Sequence, residues 1–242
     1  MHISLACCTL LALTLLAAPA KAADQSVVFI SNGQLTYFGP ITQEANQKLA
    51  ALDKAAGGEA TVLAIRSGGG DTSAGIALGA WVKIRKLDVK VLEMCFSACA
   101  NYVFPAGNRK IVSSFAVVGY HGGLGSASFM TNTDPASQKI LDAMSSAERE
   151  SHDAEEKRFF AEKLAEETEF FRSIGVRPEI TLLGQAAPYV AKYEKIDKMI
   201  GWTYSIADFA KLGVDKINVI NGPWVPRILS GKYMVYRVKV KD

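Results

Sequence analysis

Residues Ala60 to Gly75 read ATVLAIRSGGGDTSAG. Six apolar or β-branched residues, Ala60 to Ile65, form a run of strand length, and Ser67-Gly68-Gly69-Gly70-Asp71 cuts it off. A helical stretch follows from Ser73 to Leu87, then a second strand, Val89 to Met94. Upstream, Val27 to Ile30 and Gly33 to Phe38 are short β-rich runs. They lead into Thr42 to Ala56, where Ile41, Ala45, Leu49 and Leu52 recur at helical spacing. Strand, glycine turn and helix in alternation predict an α/β fold of crossover units around a mostly parallel sheet.

Beyond this region the pattern changes. Asp134 to Ser173 is a charge-laced helical segment, with Asp134 and Pro135 as N-cap and first helical residue and Gly175 near its end. Its apolar positions include Ile140, Leu141, Met144, Phe159, Phe160, Leu164, Phe170 and Phe171, which suit a pair of helices packed outside the sheet or against another subunit. A strand–helix region, Trp202 to Val219, precedes a basic tail, Tyr233 to Lys241, that alternates as an edge strand does.

The chain has 242 residues, with 27 Lys and Arg against 24 Asp and Glu. So even a balance gives no electrostatic footprint for nucleic acid. The apolar run Leu5 to Ala18, ending in Ala20-Lys21-Ala22, reads as a secretory signal over residues 1–22. Cleavage after Ala22 leaves a single domain, 23–242, of 220 residues and net charge +2, with no later segment apolar enough to span a bilayer. The expected location is secreted or periplasmic. Cys7 sits in a lipobox-like context but lacks a preceding apolar region, so lipidation is not expected. Only Cys95 and Cys99 remain for an oxidising compartment. Four apart on a regular helix they sit awkwardly for a bridge, and a bend between them brings them into range. With no second cysteine pair, zinc is not expected.

Glu93 to Gly107, EMCFSACANYVFPAG, sets Ser97 midway between those cysteines, where a strand passes into an apolar helix. A serine in such a run is most often a packed residue. A nucleophilic one needs a base, donors for an oxyanion and a bend that exposes its hydroxyl. His121 ends another strand-like run, Phe115 to Tyr120, whereas His152 lies in an acidic helical stretch with no motif around it. The glycine turn after Ile65 lets backbone N–H groups approach a carbonyl. In a parallel sheet successive strand ends gather on one side, where these three motifs can meet. No Gly-Lys-Ser/Thr follows the glycines, which excludes a nucleotide loop of that type.

Ala64 to Gly75 resembles the strand, Ser-Pro-Gly-Gly turn and Ala-Gly helix of the Clp protease proteolytic subunit family. Met94 to Gly107 is similar to its serine segment, Asn108 to His121 to the basic turn and strand that deliver its histidine, and Tyr204 to Asp215 to its closing segment. The resemblance covers most of Val27 to Ile217, in order. It implies the Clp/crotonase-like spiral of β-β-α units, acyl transfer with no cofactor and no metal, and a homo-oligomer acting on peptide or protein. Carried over, it makes Ser97 the nucleophile, His121 the general base, and the N–H groups of Gly69 and Ala98 the oxyanion hole. The family's spacing back from Ser205 points to Asp197 as the acid, with Glu194 and Asp134 as substitutes. The family's turn proline is Gly68 here, and Cys95 and Cys99 have no counterpart in the cytoplasmic enzymes; a bridge between them would brace the serine elbow. The alternative is a catalytically inactive scaffold of the same fold that binds peptides or a protein partner. A crotonase-like acyl-CoA enzyme fits less well, since export removes the chain from the usual CoA pool.

Overall fold

Asp71 starts the helix that follows the triple glycine: its Oδ1 accepts the Ala74 N–H at 2.7 Å, as an N-cap side chain does. The computed structural model describes residues 25–126, 135–227 and 233–241. The signal-like segment and Asp134 lie outside them. The fold is α/β with a mostly parallel sheet. β1 (Val27–Ser31) and β2 (Gln34–Phe38) form an antiparallel pair. Thr42 then caps α1 (Gln43–Ala55), which turns Ala45 and Leu49 inward. β3 (Val62–Ser67) pairs parallel with β2, α2 (Thr72–Ile84) crosses over, and β4 (Asp88–Phe96) pairs parallel with β3.

β4 is nine residues long and serves two neighbours. Its first half pairs with β5 (Lys110–Ser113) and its second half with β6 (Val117–Gly119), both parallel. β7 (Met199–Tyr204) lies outside the main sheet, while β8 (Ile217–Ile220) extends it beyond β5. The tail strand β9 (Met234–Val238) pairs parallel with β7 in a separate two-stranded sheet, so both partners there are edges.

After β4 the chain makes a π-helical turn, Cys99–Val103, that continues into α3 (Phe104–Ala106); every residue of the two is buried. α2 packs on this serine helix through its glycines. A Cβ at Gly79 would stand 2.4 Å from the Tyr102 carbonyl oxygen, and one at Gly75 2.8 Å from the Tyr102 ring, so only glycine permits the approach.

The segment expected to be helical from Asp134 holds two helices, Pro135–Ala143 and Ser146–Ile174. A capping box between Ser145 and Glu148 opens the second, and Gly175, at φ 70°, ends it. Along its 29 residues only Glu167, Phe170 and Phe171 are buried, all near its C-terminal end. Among the described residues no helix is long and apolar enough to cross a membrane.

Candidate functional site

The register of one strand pair builds the site. Phe96 lies opposite Gly119 in the parallel β4–β6 pair, and the Ser97 N–H continues the ladder by donating to the Gly119 carbonyl at 3.0 Å. One strand then turns into the serine helix, while the other runs on through Tyr120 to His121. Because the strands are parallel, both turns leave on the same side. Tyr120 is fixed from its far side by two hydrogen bonds with the Trp202 backbone, each 2.8 Å.

Ser97 takes φ 56°, an uncommon conformation for a residue with a side chain. That left-handed residue is the bend between the cysteines: Cys95 and Cys99 form a disulfide with Cα atoms 5.2 Å apart, and both are fully buried. The bend presents the Ser97 hydroxyl to His121, whose Nε2 lies 2.7 Å from Oγ. In the neutral tautomer with the proton on Nδ1, the hydroxyl donates to Nε2, the arrangement a general base requires. Phe96 stacks on the imidazole with ring centres 5.4 Å apart and planes 7° from parallel. His121 keeps an exposed edge, yet the packing around it desolvates the ring and lowers its pKa below the ordinary 6.5.

The two expected oxyanion donors differ. Ala98 opens the serine helix, where no preceding turn supplies a carbonyl for its N–H. A Cβ at Gly69 would come within 3.0 Å of that nitrogen and 2.5 Å of the Ser97 Cβ; the missing side chain leaves this space open. The Gly69 N–H, by contrast, is donated to the buried Ser67 hydroxyl at 3.1 Å, and that hydroxyl donates back to the Gly69 carbonyl at 3.2 Å.

Asp197 and Glu194 are exposed, near the turn that leads into β7, and no hydrogen bond or ion pair joins either to His121. The structure therefore brings together Ser97, His121 and Ala98, places Gly69 beside them, and gives Asp197 no hydrogen bond or ion pair to His121. The His121 backbone is held instead. Gln185 Nε2 donates to its carbonyl at 3.2 Å, and Asn101 Nδ2 to the next carbonyl, Gly122, at 2.9 Å. Asn101 was legible as a polar residue one turn after Ser97 in an apolar run; nothing in the sequence marks Gln185.

A cavity of about 350 Å³ lies next to the site through Gly68 and Phe96, with Met94 and Ile200 as apolar walls and the Arg66–Glu93 ion pair, 2.5 Å, at its edge; neither Ser97 nor His121 is among its lining residues. A larger cavity of about 450 Å³ between α1 and α2, bordered by Asn46, Asp71, Trp81 and Glu166, contains neither Ser97 nor His121. Among the described residues one cluster could hold a metal ion, His152 with Asp153 and Glu156 on the long helix, remote in sequence from the site and largely exposed.

No family model matches the chain, and no curated protein matches it. Among solved structures, a mutant of ClpP1 from Listeria monocytogenes matches 33% of this chain and 50% of its own length, at 23% identity and a TM-score of 0.28.

Proposed function

We propose that the chain is an exported serine acyl hydrolase of the peptidase type, in which His121 takes the proton of Ser97 as its oxygen attacks a carbonyl. The observation that carries this reading is the 2.7 Å approach of Nε2 to Oγ at a residue held in a left-handed turn. The chemistry follows from the neighbours. A lowered imidazole pKa keeps His121 neutral, and so able to accept the proton, near pH 7. The Ala98 N–H, at the positive end of the serine helix, stabilises the oxyanion of the tetrahedral intermediate, and turning the Ser67 side chain away about its Cα–Cβ bond would free the Gly69 N–H as a second donor. His121, now protonated, then gives its proton to the leaving group, and water resolves the acyl-enzyme by the same route in reverse.

The apolar walls formed by Met94, Phe96 and Ile200 suit a side chain on the substrate next to the reacting carbonyl. The Cys95–Cys99 bridge supports an oxidising location, the setting in which a buried structural disulfide persists. Self-association, as expected from the resemblance, would bury Phe159 and Ile140, both more than half exposed.

One observation favours a second reading, a peptide-binding scaffold without turnover: the Gly69 N–H is already engaged. Labelling with a fluorophosphonate decides between them. The hydrolase requires a single adduct mapped to Ser97 and lost in Ser97→Ala; a folded chain that stays unlabelled leaves the scaffold.

A further inference from the structure

We infer that Glu167, on the long helix Ser146–Ile174, is a positioning residue for the Ser97–His121 pair, acting through Tyr102 on the serine helix and, by way of the neighbouring Asn101, on the loop that carries His121. This rests on the acyl-hydrolase reading of the site.

The geometry is a buried polar chain. Tyr102, on the serine helix, donates its hydroxyl to Glu167 Oε1 at 2.6 Å, and both residues are buried. Asn101, beside Tyr102 in the chain, is buried too and holds the Gly122 carbonyl, next to His121, at 2.9 Å. The backbone N–H of Leu124 adds to what favours the charged form of Glu167. The long helix therefore fixes the serine helix at Tyr102, and the serine helix holds the histidine loop one residue away.

A buried carboxylate is a costly choice for a tie that packing alone could make. Phe170 and Phe171 already dock the long helix against the Tyr102 ring, with centroids 5.8 and 6.0 Å away. Burial pushes the Glu167 carboxyl above its ordinary pKa, opposed by the bonds from Tyr102 and Leu124. What a carboxylate adds over an aliphatic side chain is a directional acceptor for the Tyr102 hydroxyl, fixing the helix from which Asn101 holds the histidine loop. That matters here because, among the described residues, no carboxylate reaches His121 to orient its ring. Alignment of Nε2 on Oγ depends on where the backbone of residues 121–124 is held. A misplacement of about 1 Å costs on the order of 100-fold in rate.

The test compares wild type with Glu167→Leu, Glu167→Gln and Tyr102→Phe, by the rate of fluorophosphonate labelling, by kcat and KM on p-nitrophenyl acetate, and by thermal unfolding. Glu167→Leu keeps the helix docked by packing, so a folded variant is expected to lose kcat by roughly 10- to 100-fold with KM little changed. Glu167→Gln, whose amide oxygen can still accept the Tyr102 hydroxyl, recovers most of that loss. A folded Glu167→Leu with wild-type kcat overturns the inference. If Glu167→Leu does not fold, Tyr102→Phe decides: it keeps the ring packing and removes one bond of the network, and an unchanged kcat overturns the inference equally. Wild type that is itself unreactive removes the hydrolase reading together with this one, whereas reactive wild type with unaffected variants removes this one alone.

Discussion

His121 Nε2 stands 2.7 Å from Ser97 Oγ, although 24 positions separate the two in the chain. The contact follows from strand register: Phe96 opposite Gly119 sets both residues just past the same edge of a parallel pair. A base in this position must be neutral to act. Burial lowers the pKa of His121, so the neutral fraction is already large slightly below the ordinary value. The labelling rate of Ser97 is expected to rise with pH and reach half its plateau below pH 6.5. A half-maximum clearly above that value would show that another group limits the reaction.

Gly69 faces the nucleophile so closely that a methyl group has no room. Its φ is 101°, and an added Cβ would lie 2.5 Å from the Ser97 Cβ and 2.9 Å from the Phe96 carbonyl oxygen. Gly69→Ala is expected to cost about 1–3 kcal/mol of stability. By displacing the elbow it should also lower reactivity on the order of 100-fold. Urea unfolding and labelling kinetics on the same sample measure both; a folded, fully reactive Gly69→Ala would contradict the placement of this loop.

The disulfide between Cys95 and Cys99 encloses the elbow in a ring of very few residues. Closing so short a loop limits the entropic gain to about 2 kcal/mol. The double variant Cys95→Ala/Cys99→Ala should therefore still fold, with stability lower by about that amount and slower labelling of Ser97. Since both sulfurs are fully buried, alkylation in exported wild type requires reductant and denaturant together. Ready alkylation of the native protein without reductant would remove the brace.

Asp88 secures the other end of β4. Its buried carboxylate accepts the Arg109 backbone N–H and the Asn108 amide, each at 3.1 Å, and the Arg109 Nε at 2.8 Å. Burial opposes its ionisation, but the bonds from Arg109 and Asn108 outweigh that and hold its pKa below the ordinary 3.8. The stabilisation is thus present above the ordinary carboxylate value and lost as pH falls through the lowered folded one. Asp88→Ala is expected to cost about 1–3 kcal/mol near pH 7. Most of this comes from the backbone and amide donors, because the Arg109 side chain is largely solvated and its ion pair is screened. Denaturation at pH 7 and at pH 2 checks the claim: the difference between wild type and variant should shrink at the lower pH.

What the sequence by itself determined lies in short windows. Strand-length apolar runs, the glycine turn with Asp71 behind it and helical spacing in Thr42 to Ala56 specify β3, α2 and α1, because local periodicity and capping need no distant partner. The order of the glycine turn, Ser97 and His121 also singled out two residues whose side chains lie 2.7 Å apart in the fold. Only the tertiary structure decided how they meet. Whether Gly69 offers its N–H turns on where the Ser67 side chain places its oxygen, and whether Asp197 reaches His121 depends on the path of the long connection between them, which no local rule fixes. The serine helix at Asn101 and Tyr102, Gly122 of the histidine loop and Glu167 come together from three separate segments through sheet register and helix docking. Such a convergence has no spacing in the chain, since hydrogen bonds between remote segments are set by where the packed core carries each backbone and not by the residues beside it.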